Sequence, residues 1–391
     1  MSASFWLITA SLLLLVLAMH PFTSYPLSLM ALARIRPRPL KRGQPPYSVA
    51  LCVCAYNEEK VIRAKVENML ALRAAYPHME ILIYVDAASD RTAEILAEYH
   101  PDLNVIVSPQ RMGKTHGMNL LVGMTDAACL VFSDANVMFA PDAITHLLAP
   151  FADPSIGLVC GHLRYGASDG NATAATGSLY WRLEEQIKRL ESASGSIIGA
   201  DGSIFALRRA SHRAPPADLI DDMYVSLMVL CNGGRVVRAA QAHAFEDSVS
   251  QPQEEFRRKI RIACQAFNVH RALSPKLRRL GVFDQYKYIS HKLLRWLVIY
   301  LLGASALTLI AGLVLAQAWV VLEVLGGIGV LATLLLATAT RGPMMTLRSI
   351  LSAFVATGIG VWYSVRGQRF QTWSPPGSSR LAPSTSPEVT A

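Results

Sequence analysis

The charge on this chain is segregated, and that segregation constrains the fold more than any other feature. Residues 5–33 contain no Asp, Glu, Lys or Arg, and residues 296–340 contain one acid, Glu323. Residues 34–295 carry nearly all the charge and have the size of one globular domain. Charged residues make up 17% of the whole, below the roughly 25% of soluble domains, because two apolar blocks dilute an ordinary domain. Disorder, a collagen-like fibre and a disulfide-stapled secreted domain are excluded. The pattern is that of a membrane protein with a large soluble part.

The apolar run Phe5–Met19 is interrupted by His20, Pro21 and Pro26 before a second apolar piece ends at Ala33. It lacks the basic start and small-residue cleavage site of a signal peptide. Residues 1–34 therefore read as an uncleaved anchor, N-terminus outside and the Arg-rich 34–42 inside. Leu293–Leu315 and Trp319–Ala339 are each long enough to cross ~30 Å of hydrocarbon, and the short turn between them predicts a helical hairpin. A further segment, Ile350–Val365, is shorter and richer in Gly, so residues 293–365 hold two to three spans. Four full spans would leave Arg366 and Arg369 outside, against the positive-inside rule, which a re-entrant or surface-lying last segment resolves. Residues 366–391, Pro/Ser-rich after Trp373, read as a disordered tail.

The net charge of +9 invites a nucleic-acid reading, but its distribution argues otherwise. Arg34, Arg36, Arg38, Lys41 and Arg42 follow the first apolar block, and residues 256–292 form a basic, interfacial stretch before the second. Such flanks mark the cytoplasmic side and attract anionic headgroups. The partner is the lipid bilayer, with no nucleic acid. The six cysteines form no C-x-x-C pair and no zinc-ligand spacing, and reduced thiols fit a cytoplasmic domain.

Within the soluble part, Ser48–Cys54, Glu80–Val85, Asn104–Val107 and Ala128–Phe132 read as strands. Helical stretches running to Leu72, over Thr92–Tyr99 and over Lys114–Thr125 alternate with them. That alternation predicts an α/β, doubly wound, mostly parallel sheet. Ligands bind such sheets at the carboxyl ends of the strands, where Asn57, Asp86 and Asp134 fall. Strand-end Asp and Asn also serve as turn formers and caps. Several on one rim, however, fit a divalent cation and a phosphorylated ligand. The near match Ser108–Thr115 to a phosphate-binding P-loop fails, because position 108 is Ser followed by Pro where a Gly is required.

The ordered set Ala55-Tyr56-Asn57-Glu58-Glu59, Asp86–Thr92, Arg111-Met112-Gly113-Lys114 with Asn119, and Asp134-Ala135-Asn136 resembles the nucleotide-sugar-binding half of family 2 glycosyltransferases. Gly199-Ala200-Asp201-Gly202-Ser203 with Arg208-Arg209, and Asp221-Asp222, resemble that family's acceptor loop and catalytic acid motif. The likeness covers roughly residues 48–296, and the flanking helices match the membrane-embedded branch that makes cellulose, hyaluronan and poly-N-acetylglucosamine.

The resemblance implies a GT-A type sheet over residues 35–255 with transmembrane helices at both termini. It implies a nucleotide-sugar site built from Ala55, Tyr56, Asn57, Glu58, Asp86, Asp90, Gly113, Lys114, Asn119 and Asp134. Tyr56 and Glu58 would line the uracil and ribose pocket, Asp86 would bond the base, and Lys114 would stand near the nucleotide. Asp134 and Asn136 would hold Mg²⁺ or Mn²⁺ on the diphosphate, with Asn a weaker ligand than the usual second acid. Gly199, Ala200, Asp201 and Gly202 would meet the acceptor.

Asp222, preceded by Asp221, aligns with the general base. Inverting displacement needs a carboxylate opposite the leaving diphosphate, while the competing reading makes the two acids caps of a helix starting at Met223. Arg261 falls where the family's Q-x-x-R-W segment places an arginine for the leaving group. Arg258 and Ile262 replace the Gln and Trp, which puts processive polymerisation in doubt. Implied throughout are a nucleotide-sugar donor, a glycan or lipid-linked acceptor, and polysaccharide-export partners at the inner membrane. The alternatives are single-sugar transfer to a polyprenyl phosphate, or a non-catalytic subunit of a synthase complex.

Overall fold

The computed structural model describes residues 1–43, 48–165, 172–246, 252–339 and 342–372. Strands β1 (Val49–Ala55), β2 (Glu80–Asp86), β3 (Asn104–Ser108), β4 (Cys129–Asp134), β5 (Met138–Phe139), β6 (Ile156–Tyr165), β7 (Ile204–Arg208) and β8 (Arg235–Glu246) join in one sheet. Their order is β3-β2-β1-β4-β7-β6-β8-β5. The first four pair in parallel; β7 runs antiparallel to β4 and β6, and β6 and β8 are again parallel. The fold is the GT-A-like, mostly parallel sheet, extended by a mixed second half.

Every residue of β1 is buried, as expected for a central strand covered on both faces. Alternation splits it between two cores. Val49, Leu51, Val53 and Ala55 pack with Ile62, Val66 and Met69 on one face. Ala50, Cys52 and Cys54 join Met118, Leu121, Val269 and Trp296 on the other. The second core therefore includes residues of the helix Pro252–Leu277 and of the first C-terminal membrane helix.

Among the described residues four helical stretches are long and apolar enough to cross a membrane: Ala3–Phe22, Val282–Leu315, Trp319–Thr338 and Gly342–Val365. They mark the chain as membrane-associated. The last differs from the sequence reading, which began it at Ile350. It starts at Gly342, because Pro343 suits a first helical turn and Arg348 turns back to the Ala337 and Ala339 carbonyls ending the preceding helix. Residues 366–372, counted with the tail in sequence, pack on the helix Pro252–Leu277: Asn268 and Gln265 donate to the Gln368 and Phe370 carbonyls. The stretch expected to be disordered after Trp373 lies outside the described residues.

A buried polar cluster joins the membrane helices to the domain. The imidazole of His291, on a π-helical turn at Ile289–Leu293, lies 2.8 Å from Glu191 and 3.0 Å from Glu184. Tyr25 donates to Glu191, and Arg295 to Glu184. Glu191 also accepts the Ile198 backbone N–H, at the start of the Gly199–Gly202 loop. Glu191→Ala would leave the Tyr25 hydroxyl, the His291 imidazole and a backbone donor buried without their acceptor. Breaking one member of such a network costs about 3–5 kcal/mol. The melting temperature in detergent should fall by several degrees, with Glu191→Gln falling less.

Candidate active site

Strand register assembles the rim. Pairing sets Cys54 beside Asp134 and Ala55 beside Val85, so the carboxyl ends of β1, β2 and β4 open at one level. The loops beyond β1 and β2 each hold a non-glycine residue at positive φ, Asn57 at 52° and Ala87 at 51°. They are laced together: Asn57 accepts the Ser89 N–H, and Asp90 accepts the N–H groups of Glu59 and Thr92. The Glu58 N–H donates to the Thr92 hydroxyl. Ala55 is part of the core. Asn57, Glu58 and Asp90 thus stitch the rim that Tyr56 stands on.

Asp86 is fully buried and holds the loop after β3. Its carboxylate accepts from the N–H groups of Met112 and Gly113, from Arg111 Nε and from the Tyr84 hydroxyl. The Arg111 guanidinium so placed lies 3.3 Å from the centre of the Tyr56 ring. Gly113 has φ of 91°, and a Cβ there would stand 2.2 Å from the Gln371 carbonyl oxygen. The 366–372 segment therefore crosses this loop, and Gln371 also donates to the Met112 carbonyl. Asn119 donates to the Pro215 carbonyl, and Thr115 to that of Leu219. These bonds tie the helix Lys114–Gly123 to the segment entering the Asp221 helix.

At the centre stands Lys114. Its ammonium donates to Asp134 at 2.6 Å and lies 4.0 Å from Asp221. Burial works against its charge, but Asp134 and Asp221 outweigh that and push its pKa up. Asp134 is held below the usual carboxylate range, its burial outweighed by Lys114 and by a bond from Ser203. Arg261, whose Nη1 donates to Gln265, is lowered by burial with Arg258 alongside, while Asp134 acts in the opposite sense.

The acid pair opens the helix Asp221–Cys231, one residue pair earlier than the sequence reading placed its start. Ile220 is the N-cap, and no side chain caps it, so the two acids belong to the first turn rather than to a cap. Asp222 is half-buried and accepts the Met223 N–H. Gly202 presses against it, leaving only 2.7 Å between its ideal Cβ position and Asp222 Oδ2. Asp201 in the same loop is bound by Lys188 at 2.7 and 2.8 Å, and Gly199 (φ 86°) sits against the Lys292 side chain. Burial, with Asp221 adjacent, lifts the Asp222 pKa from 3.8 to about 7.

Lys65 and Glu246 escape the sequence reading, and Ser203, read there only as part of the Gly199–Ser203 motif, donates to Asp134. Lys65 is fully buried under the Asp134–Asn136 turn, donating to the Ser133 hydroxyl and the Val137 carbonyl, and burial pulls its pKa down to about 7. Its signal was a lysine on the same helical stripe as Ile62, Val66 and Met69. Asn136 donates to Glu246 at 3.0 Å. Among the described residues no three His, Cys, Asp or Glu side chains converge as a metal centre. The donors around the turn, Asp134, Asn136 and Glu246, are hard oxygens of the kind that suit Mg²⁺ or Mn²⁺ once a diphosphate adds its own.

The strand-end rim and Lys114 lie within a family match that ends before the acid pair Asp221–Asp222. Residues 50–214 match the model described as Glycosyl transferase family 2. They are a family 2 glycosyltransferase domain. The chain is 26% identical over 170 residues to a poly-beta-1,6-N-acetyl-D-glucosamine synthase of Staphylococcus epidermidis, covering 42% of this chain and 40% of that one. It is 23% identical over 261 residues to an N-acetylglucosaminyltransferase of Sinorhizobium fredii, 62% of each. The chain thus spans less than two thirds of the length of these curated relatives. The solved mannosyltransferase PcManGT from Pyrobaculum calidifontis, in complex with GDP-Man and Mn²⁺, covers 91% of this chain and 99% of its own with a TM-score of 0.72. At 19% identity that likeness is one of fold.

The raised Asp222 pKa carries a stability signature. Between about pH 4 and about pH 7 the folded protein holds a proton that the unfolded chain has released, so stability is lost as pH rises through that window. Asn cannot titrate. The Asp222→Asn protein should melt higher than the parent at pH 8, and the gap should narrow at pH 5; a gap independent of pH would contradict the assignment.

Proposed function

We propose that this domain transfers a sugar, with inversion, from a nucleoside diphosphate donor to a glycan acceptor at the cytoplasmic face of the inner membrane, in envelope or exopolysaccharide synthesis. The donor class is a UDP-hexose or UDP-N-acetylhexosamine, a reading supported by the names of the two curated relatives. One observation carries the reaction: a carboxylate poised near neutrality, Asp222, lies in the helix whose first residue, Asp221, faces the Lys114–Asp134 pair.

In this reading the donor base lies against Tyr56 and Arg111, and the diphosphate lies over Lys114 and the Asp134–Asn136 turn. Asp222 takes the proton of the acceptor hydroxyl as its oxygen forms the new bond to the anomeric carbon. The bond to the diphosphate breaks on the opposite face, and Lys114 and Arg261 balance the charge that develops there. A divalent cation held at the Asp134–Asn136 turn would neutralise the diphosphate further.

A second acceptor class is favoured by the Lys292 side chain, partly exposed and packed on Gly199 of the acceptor loop, next to the first C-terminal membrane helix. A cation there suits a phosphate headgroup, as in a polyprenyl phosphate.

Detergent-purified protein with labelled UDP-sugars tests both. Turnover should rise with pH to a plateau above about pH 7 as Asp222 loses its proton. Asp222→Asn should lower the rate by ~10²–10⁴-fold while UDP affinity stays unchanged. Asp222→Asn with near-normal rate would remove the base. No turnover with any nucleotide sugar would favour a non-catalytic subunit. A product that partitions into organic solvent identifies the lipid acceptor, and a water-soluble glycan the polysaccharide one.

A further inference from the structure

Lys65, on the helix Ile62–Arg73, is buried completely. Its amine meets the Ser133 hydroxyl at 2.7 Å, the Val137 carbonyl, and the face of Phe139, 4.8 Å from the ring centre. None of these partners is acidic. Burying an amine among neutral groups costs stability, and an aliphatic side chain would fill the same space at lower cost. Packing alone therefore gives no reason for a lysine here.

The two hydrogen bonds fall on either side of the Asp134-Ala135-Asn136 turn, on the residue before it and the residue after it. Ser133, accepting from Lys65, passes its own hydroxyl hydrogen to the Asp134 carbonyl at 3.2 Å, and that carbonyl also accepts the Val137 N–H at 3.3 Å. Lys65 thus closes a ring of hydrogen bonds beneath the turn, and the ring fixes the main chain of Asp134. The Asp134 carboxylate is then met by Lys114 at 2.6 Å and by Ser203 at 3.1 Å. One turn along the same helix, Asn68 donates to the Phe139 carbonyl and accepts the Phe139 N–H, both at 2.9 Å. Asn68 holds the short strand beyond the turn, whereas Lys65 holds the turn itself.

We propose that Lys65 is a positioning residue for the donor diphosphate: from beneath the turn it fixes Asp134, and through Asp134 the Lys114 ammonium, where the phosphates meet them. The inference rests on the nucleotide-diphosphate reading above, in which the base lies against Tyr56 and Arg111 and the diphosphate over Lys114 and the turn. Lys65 supports only the second of these subsites, so its loss should act on the phosphates and spare the base.

The test compares UDP with uridine, which carries the base and no phosphate, on the full-length protein in detergent. UDP affinity is read by calorimetry and uridine affinity by saturation-transfer NMR. Lys65→Met keeps an unbranched side chain and removes both hydrogen bonds. UDP binding should weaken by about tenfold or more, since a misplacement of ~1 Å can cost ~10²-fold, with uridine binding unchanged. Lys65→Gln, which keeps a donor, should lose less, and it carries the same comparison should Lys65→Met fail to fold. Asn68→Ala should lower the melting temperature and leave the preference for UDP over uridine as in the parent. Parent-like UDP affinity in Lys65→Met overturns the proposal. An equal loss of UDP and uridine binding, or an equal loss of preference in Asn68→Ala, also overturns it, because either marks a general loosening. A parent that binds GDP instead takes the same comparison with guanosine. If it binds neither diphosphate, the donor reading itself falls and this inference falls with it.

Discussion

The ammonium of Lys114 is the interaction on which the site depends. One side of it is Asp134, at the end of the parallel half of the sheet; 4.0 Å away on the other is Asp221, which starts a helix of the mixed half. Three like-signed carboxylates, Asp134, Asp221 and Asp222, approach one another in a poorly solvated cleft, where their repulsion is little screened. With Lys114 among them, Asp134 stays ionised and the residual penalty concentrates on Asp222. Lys114 thus keeps Asp134 anionic, while burial and the adjacent Asp221 lift the Asp222 pKa to about 7 against the opposing effect of Lys114.

The membrane helices are part of the same construction. The helix Pro252–Leu277 carries Arg261 and packs along the last membrane helix, where Ser364 donates to Asn268. The chain leaving that helix passes over Gly113 through Gln371. On the other flank, His291 and Arg295 reach Glu184 and Glu191, and Glu191 holds the start of the Gly199–Gly202 loop. The loop after β3 and the Gly199–Gly202 loop are each tied to a different membrane element. A domain cut free of its helices would lose the supports of both.

The parallel half of the fold was legible because strands buried on both faces are continuous apolar runs: Ser48–Cys54 became Val49–Ala55, and Glu80–Val85 became Glu80–Asp86. Asn57, Asp86 and Asp134 could be placed from strand ends alone, since parallel register must bring those ends together, whereas Tyr56 and Lys114 were singled out only by the family resemblance. What Asp86 and Asp90 do there was not legible, because it depends on which backbone N–H groups fold back onto them. The mixed half was harder, its strands being joined by long excursions. Lys65 stood out in principle as a lysine in an apolar helical stripe. Glu246 and His291 had no local signal: their partners lie 110 and 107 positions away, and only the sheet and the helix packing bring them close. The last membrane helix was read short, from Ile350, whereas it starts at Gly342 and its Arg348 guanidinium reaches back to the carbonyls ending the preceding helix.

The proposed reaction is a single displacement at the anomeric carbon with Asp222 opposite the leaving diphosphate. Its most direct test is the anomeric configuration of the product, read by proton NMR coupling constants after one turnover from an α-linked nucleotide sugar. A β-linked product is expected. An α-linked product would mean two displacements or a front-face mechanism, and would contradict the role assigned to Asp222 and the geometry built around Lys114.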